Sequence, residues 1–173
     1  MIGSNSSEIT LGASSYLEYF HGQVEGRPPE INLEDEKLCQ EIIRNSINKD
    51  FVVSCHDISD GGLSVALAEC SILSGLGAQI NIDDNLREDK LLFGEGGSRM
   101  IFSIDNNKKG IWAKYLNEVN KKSKGNLYIN KIGFVSNNKL NIKYLNKVLC
   151  DLKVSALADK FNNGIIENFK KWI

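Results

Sequence analysis

The sequence predicts a layered α/β fold, α+β by some schemes, on three observations. Apolar residues recur at helical steps over 33–47. Short apolar or alternating runs, Phe51–Cys55 and Ala78–Ile82, stand between the helical stretches. Strand-like and helical segments interleave along the whole chain, and such elements bury their apolar faces only in layers. The 173 residues suit a single domain, with an extended first segment and loop over 1–32 and a layered body over 33–173. A domain near this size buries roughly 68–70% of its unfolded surface.

Met1 to Gly12 is rich in Gly and Ser and reads as a first strand or arm. Ser14-Ser15 cap a short helix over 16–20, which His21-Gly22 ends. Glu25-Gly26-Arg27-Pro28-Pro29 is a loop, because consecutive prolines block both helix and ladder. The aromatic group Tyr16, Tyr19 and Phe20 reads first as a packing face, with a binding surface as the alternative. Over 33–47, Leu38, Ile42, Ile43 and Ile47 form the apolar stripe, and the acidic first turn suits the helix dipole. Phe51–Cys55 is expected as a strand buried on both faces. A loop over 56–62 follows, then a helix over 63–73 apolar on nearly every side, which must be covered all round.

Ala78–Ile82 alternates and predicts a strand with one wet face. Residues 83–90 read as a charged loop, 94–98 as a glycine-rich turn and 99–104 as a strand. A helix around 111–119 follows a turn at 105–107, and 121–126 turns the chain again. Strands are expected over 127–135 and 139–142, joined through Asn137-Asn138. The last amphipathic segment, 154–172, is broken near Asn162-Asn163-Gly164.

Net charge of -1 and a pI near 6.1 supply no bulk attraction to nucleic acid. The lysines and asparagines beyond Lys108 read as a solvated face. Cys39, Cys55, Cys70 and Cys150 stand far apart, without a C-x-x-C pair, and so predict reduced thiols rather than disulfides or zinc. No secretory leader precedes them, and no apolar run approaches the ~20 residues of a membrane span. The expectation is a cytoplasmic protein.

The densest chemistry is His56-Asp57-Ile58-Ser59-Asp60-Gly61-Gly62, where a strand runs through a polar turn into a helix. An anion can accept from the free N–H groups of the first helical turn, and glycines let a phosphate approach. Asp57 and Asp60 repel a bare phosphate unless Mg²⁺ lies between, which makes both candidate metal ligands. The competing reading is that Asp60 caps the helix and the glycines only turn the chain. His56 reads as structural for want of a visible partner. A second turn, Gly94-Glu95-Gly96-Gly97-Ser98-Arg99, sets a carboxylate and a guanidinium on a glycine loop. It suits either ligand recognition or a surface Glu95–Arg99 ion pair. The candidate nucleotide or phosphate-binding set is therefore His56, Asp57, Ser59, Asp60, Gly61, Gly62, Glu95 and Arg99. No residue is assigned as catalytic.

These residues carry a resemblance. His56-Asp57-Ile58-Ser59-Asp60-Gly61-Gly62-Leu63 with Ala66-Leu67-Ala68-Glu69 resembles the last domain of the phosphoribosylformylglycinamidine synthase family. Leu11-Gly12-Ala13-Ser14-Ser15-Tyr16-Leu17 is similar to the family's L-G-G-S-E-Y-L, and Gly26, Pro28-Pro29, Leu33-Glu34 and Glu36 to its G-x-P-P-x-x-x-L-E-x-E. Gly75-Leu76-Gly77-Ala78 and Leu92-Phe93 to Arg99 continue in the same order. The resemblance is specific to about Ile104 and general beyond.

It implies an aminoimidazole ribonucleotide synthase C-terminal-type domain around a mixed sheet. It also implies a place in an enzyme that uses ATP, Mg²⁺ and ammonia from a glutaminase subunit or domain to turn formylglycinamide ribonucleotide into its amidine. The catalytic histidine and most ATP and Mg²⁺ ligands of that family lie in other synthetase domains, the implied partners, so this domain is expected to be inactive alone. One departure stands out: where the family often reads E-S-Q-S-R, this chain has Glu95-Gly96-Gly97-Ser98-Arg99. The side chains of Ser and Gln that reach a ligand are missing, which marks a non-catalytic copy. The alternatives are another ATP-dependent synthetase or kinase of the same superfamily, and a non-catalytic nucleotide-binding or assembly module.

Overall fold

The computed structural model describes residues 1–3, 8–122 and 127–169. The sequence reading of 123–126 as a turn, and the stretch around Trp172, lie outside the described residues. The elements are β1 (Ile2–Gly3), α1 (Ser15–His21), α2 (Leu33–Asn48), β2 (Ser54–Asp57), α3 (Gly62–Ser74), β3 (Gly77–Ile82), α4 (Glu88–Phe93), β4 (Met100–Ser103), α5 (Lys109–Lys122), β5 (Tyr128–Ile129), β6 (Gly133–Ser136), β7 (Lys139–Tyr144), β8 (Lys147–Lys153) and α6 (Val154–Phe169). They divide into two compact units, Met1–Ala66 with Leu86–Lys131, and Leu67–Asn85 with Ile132–Ile173.

The first unit holds an antiparallel sheet in the order β2-β4-β1-β5. Residues 1–3, read as part of a leading arm, supply one of its inner strands. Ile2, Leu38, Cys39, Ile42, Trp112, Leu116 and Leu127 form the core, with Met100, Phe102 and Ile129 packed against it. Helices α2 and α5 thus meet the alternate residues of the sheet that point toward them. Asn32 caps α2 by accepting from the N–H groups of Glu34 and Asp35, the role its short amide suits.

The apolar stripe of α2 departs from the expected one. Ile47 is exposed, and Ser46 lies fully inside, one turn on from Ile42. Its hydroxyl accepts from Trp112 Nε1 at 3.0 Å, so the indole keeps its N–H satisfied inside the core. Ser46→Ala is expected to cost about 1–3 kcal/mol, the penalty of an orphaned buried donor, read as a lower midpoint in urea.

Strand β2 is shifted from its expected place. Phe51 and Val52 pack on the core, but Val53 is 72% exposed and the strand begins at Ser54. The reason is register: β4 pairs Ser54 with Ser103 through to Asp57 with Met100, which carries pairing into His56 and Asp57. With β4 on one side only, β2 is an edge strand rather than one buried on both faces. The charged stretch over 83–90 also differs, since its end forms α4. Glu88 and Asp89 occupy the first turn and Leu91 is buried, but no side chain caps the helix, so the sequence carried no start signal.

The second unit holds a mixed sheet, β6-β3-β7-β8. Strands β3 and β7 run parallel, with Ala78 beside Leu140, Ile80 beside Ile142 and Ile82 beside Tyr144. That alternation places one apolar row on one face. β6 and β7, joined through Asn137-Asn138 as expected, do not pair with each other; β3 lies between them. β8 was missed because its turn is Leu145-Asn146, both at positive φ (45° and 66°), without the Asn-Gly that normally signals such a hairpin. α6 runs through Asn162-Asn163-Gly164 unbroken, and Asn163 donates to Asp159 one turn back at 2.8 Å. α3 is not covered all round, since Leu73 is 79% exposed.

All four cysteines are free thiols, and burial pushes Cys39 up to about 12. No helix among the described residues is long and apolar enough to cross a membrane.

Candidate functional site

The turn that links β2 to α3 is built by distant backbone. After Asp57, Ile58 is buried and its N–H donates to the carbonyl of Arg99 at 3.0 Å. Gly62 N–H donates back to Ser59 O at 3.0 Å. Gly61 and Gly62 hold φ of 77° and 69°, the left-handed region that glycine enters without penalty. A Cβ on Gly62 would lie 2.7 Å from Phe93 C and 2.8 Å from Gly94 O. This glycine is required twice over, for its φ and for the backbone passing beside it.

Glu95 supplies the anion of the turn. Its Oε1 accepts from Gly61 N–H at 2.9 Å and from Ser15 N–H at 3.0 Å. Its backbone exchanges two bonds with Thr10, at 3.0 and 2.9 Å. One carboxylate therefore ties the glycine turn to the start of α1, whose N-cap is Ser14. Helix starts attract negative charge, and here the chain provides it. Asp60, read as a helix cap, is exposed and lies two positions before Gly62, where α3 begins.

Arg99 is 4% exposed. Its Nη1 donates to Gly94 O at 3.0 Å, and its stem lies against Gly3, where a Cβ would come within 2.7 Å of Cγ. Burial lowers the guanidinium to about 10, so it stays charged at neutral pH. The surface Glu95–Arg99 ion pair is not formed: Arg99 is enclosed, and Glu95 is spent on backbone N–H groups. Arg99 braces the loop over 94–99 from inside.

Glu36, named above for the resemblance but not as a site residue, joins the same frame. Its Oε2 accepts from Ser98 Oγ at 2.8 Å and its Oε1 from Gln40 at 2.9 Å. These bonds, Gln40's first and Ser98's next, hold its carboxyl below the ordinary value. Because the folded value is the lower one, the stabilisation is present above the unfolded value and is lost as pH falls through the folded one. Glu36→Gln is expected to flatten that part of the acid unfolding curve, as measured by thermal melts across the acid range.

His56 Nδ1 lies 2.7 Å from the carbonyl oxygen of Asp57. A carbonyl only accepts, so Nδ1 carries the proton. The Asp57 carboxylate stands 3.7 Å away and is largely exposed, as are Ser59 and Asp60. Among the described residues no group of three or more His, Cys, Asp or Glu side chains is placed to hold a metal ion. The structure thus gathers Gly61, Gly62, Glu95 and Arg99 into one frame and leaves Asp57, Ser59 and Asp60 on its outer rim.

The sequence profile of the AIR synthase related protein, C-terminal domain, matches residues 1–123. The chain belongs to that family. Among relatives of this AIR synthase-related domain is phosphoribosylformylglycinamidine synthase subunit PurL of Prochlorococcus marinus (strain MIT 9312). It is 56% identical over 166 residues, 95% of this chain and 21% of that protein. PurL of P. marinus (strain MIT 9515) is 50% identical over 170 residues, 98% of this chain and 22% of the relative. The AIR synthase-related chain thus spans about a fifth of the length of these relatives. Solved structures share the fold. T. maritima PurL complexed with ATP superimposes with a TM-score of 0.64 at 19% identity, over 91% of this chain and 24% of that one. The structure of PurLQS from Thermotoga maritima gives 0.67 at 16% identity, over 91% and 25%.

In this AIR synthase-related domain the departure at Gly96-Gly97 is not imposed by space. A Cβ on Gly97 meets nothing within 4 Å, and the nearest atom to one on Gly96 is Glu8 O at 3.4 Å, with neither φ positive. The double change Gly96→Ser, Gly97→Gln is therefore expected to leave stability unchanged or to raise it by about 0.4–1 kcal/mol per site, through the unfolded chain. Denaturant midpoints check this.

Proposed function

We propose that this chain is the C-terminal part of a PurL-type phosphoribosylformylglycinamidine synthase and that it has no turnover of its own. The observation that carries this reading is 56% identity across 95% of the chain to a subunit five times as long. In the reaction so assigned, ATP phosphorylates the amide oxygen of formylglycinamide ribonucleotide and ADP leaves. Ammonia from a glutaminase then adds at that carbon, phosphate departs, and the amidine remains. The side chains described above support a framing part in this chemistry. Glu95, Arg99 and Glu36 are committed to backbone, hydroxyl and amide partners. A cytoplasmic setting fits four free thiols.

Nucleotide contact in this copy falls to the rim of His56, Asp57, Ser59 and Asp60. Asp57 and Asp60 fit Mg²⁺ in kind, as hard oxygen donors open to water. Mg²⁺ takes one or two carboxylates and completes its shell with waters and phosphate oxygens. When bound it neutralises phosphate charge.

The test is ATP- and ammonia-dependent turnover of formylglycinamide ribonucleotide. It is measured for the chain alone and for a chimaera in which the chain replaces the matching fifth of the MIT 9312 PurL. The expected result is no turnover alone and turnover in the chimaera. Clear turnover by the isolated chain, or an inert chimaera whose grafted domain is folded, rejects the reading. Calorimetry with ADP and Mg²⁺ on Asp57→Asn and Asp60→Asn chains tests the rim.

A further inference from the structure

The aromatic group around α1 is not a packing face turned inward. Phe93 stacks on Tyr16 with centroids 4.7 Å apart, Tyr16 meets Phe20 at 4.9 Å, and Phe20 meets Tyr19 edge-on at 5.2 Å. The series ends in solvent, with Tyr19 84% and Phe20 62% exposed. Val24, Ile31 and Leu33 continue the exposed apolar surface along the following loop. Beside it opens a cleft of about 320 Å³ bordered by Tyr16, Leu17, His21, Glu25 and Arg87. Contiguous apolar surface of this kind, with a pre-ordered aromatic group, marks an interaction site. Its rim carries exposed Glu18, Glu25, Glu30 and Glu34 against two guanidiniums, Arg27 and Arg87, the second of them bonded to Asp89.

We propose that this surface, from Tyr16 to Leu33, docks against a basic-edged face of the remaining four-fifths of the synthetase polypeptide. The proposal rests on the PurL reading above. The charge of the rim selects the occupant. A second copy of the chain would bring carboxylates against carboxylates, a repulsion across a desolvated surface. A face that carries lysine or arginine around an apolar centre is complementary to the four glutamates. The relatives supply the mass for such a partner, since this chain covers only 21% of the first of them.

The experiment compares the PurL chimaera described above with the same chimaera carrying Tyr19→Glu and Phe20→Glu. The graft in the variant is expected to be cut by protease at least about tenfold faster, as for the loss of interface hot spots, and its turnover to fall in parallel. The isolated chain with the same two changes should keep its circular dichroism and Tm. Equal protease resistance of the two chimaeras overturns the proposal, as does unfolding of the isolated variant. So does self-association of the isolated wild-type chain that these changes abolish, because the occupant is then a second copy. An inert, folded wild-type chimaera instead rejects the PurL reading, so the two failures are distinct.

Discussion

Gly62→Ala is expected to be strongly damaging. The residue sits at φ 69°, where an L side chain costs roughly 1–2 kcal/mol. The new carbon would also stand 2.7–2.9 Å from Phe93 C, Gly94 O and Leu92 O. These are backbone atoms at the end of α4, not the mobile tip of a side chain. Pushing them back adds the overpacking cost of about 1–3 kcal/mol. The sum, roughly 2–5 kcal/mol, corresponds to a fall in Tm of order 10 °C in a protein this size.

Gly75→Ala is the control. It has nearly the same φ, 70°, and nothing within 4 Å of the added carbon, so it should show the backbone term alone, roughly 1–2 kcal/mol. Thermal melts of the two variants side by side separate strain from clash. Equal losses would mean that the close approach of the turn to α4 carries no energy.

That approach also shows where sequence reasoning stops. The helix over 33–47 was legible because its side chains repeat at the helical period, the one over 63–73 as a long apolar run, and Ser14 and Gly22 mark the ends of α1 by local chemistry. The candidate turn was legible as a place, since two glycines after a strand have few other uses. Its partners were not. Glu95 reaches Gly61 across 34 positions and Ser15 across 80, and no local pattern encodes a bond of that span. Asp60 has the right residue type for a cap, but α3 begins two positions later, at Gly62. Ser46 was hidden for another reason: a serine on an apolar stripe looks like an interruption until Trp112 is placed against it. Strand β2 slipped because its length is fixed by β4, not by its own apolar run.

Glu95→Ala is expected to loosen the whole junction while leaving the two sheets intact. The carboxylate accepts two N–H groups on one oxygen, and bonds to a charged partner are worth about 1.5–3 kcal/mol each when they lie out of water. The Gly61 bond is partly buried and the Ser15 bond exposed, so the first counts nearly in full and the second little. A loss of about 2–3 kcal/mol follows. Glu95→Gln keeps an acceptor oxygen but removes the charge, and should retain roughly half of that. The backbone bonds between Thr10 and Glu95 survive either change, so the strand-like contact there persists and the effect is confined to the side chain. Hydrogen exchange supplies the readout. In the alanine variant, protection should fall at Gly61 and across the first turn of α1, while the amides that pair β1 with β4 and β5 should change only with global stability. Unaltered exchange at Gly61 would show that some other group already holds this turn, and that Glu95 is not the anion on which the junction closes.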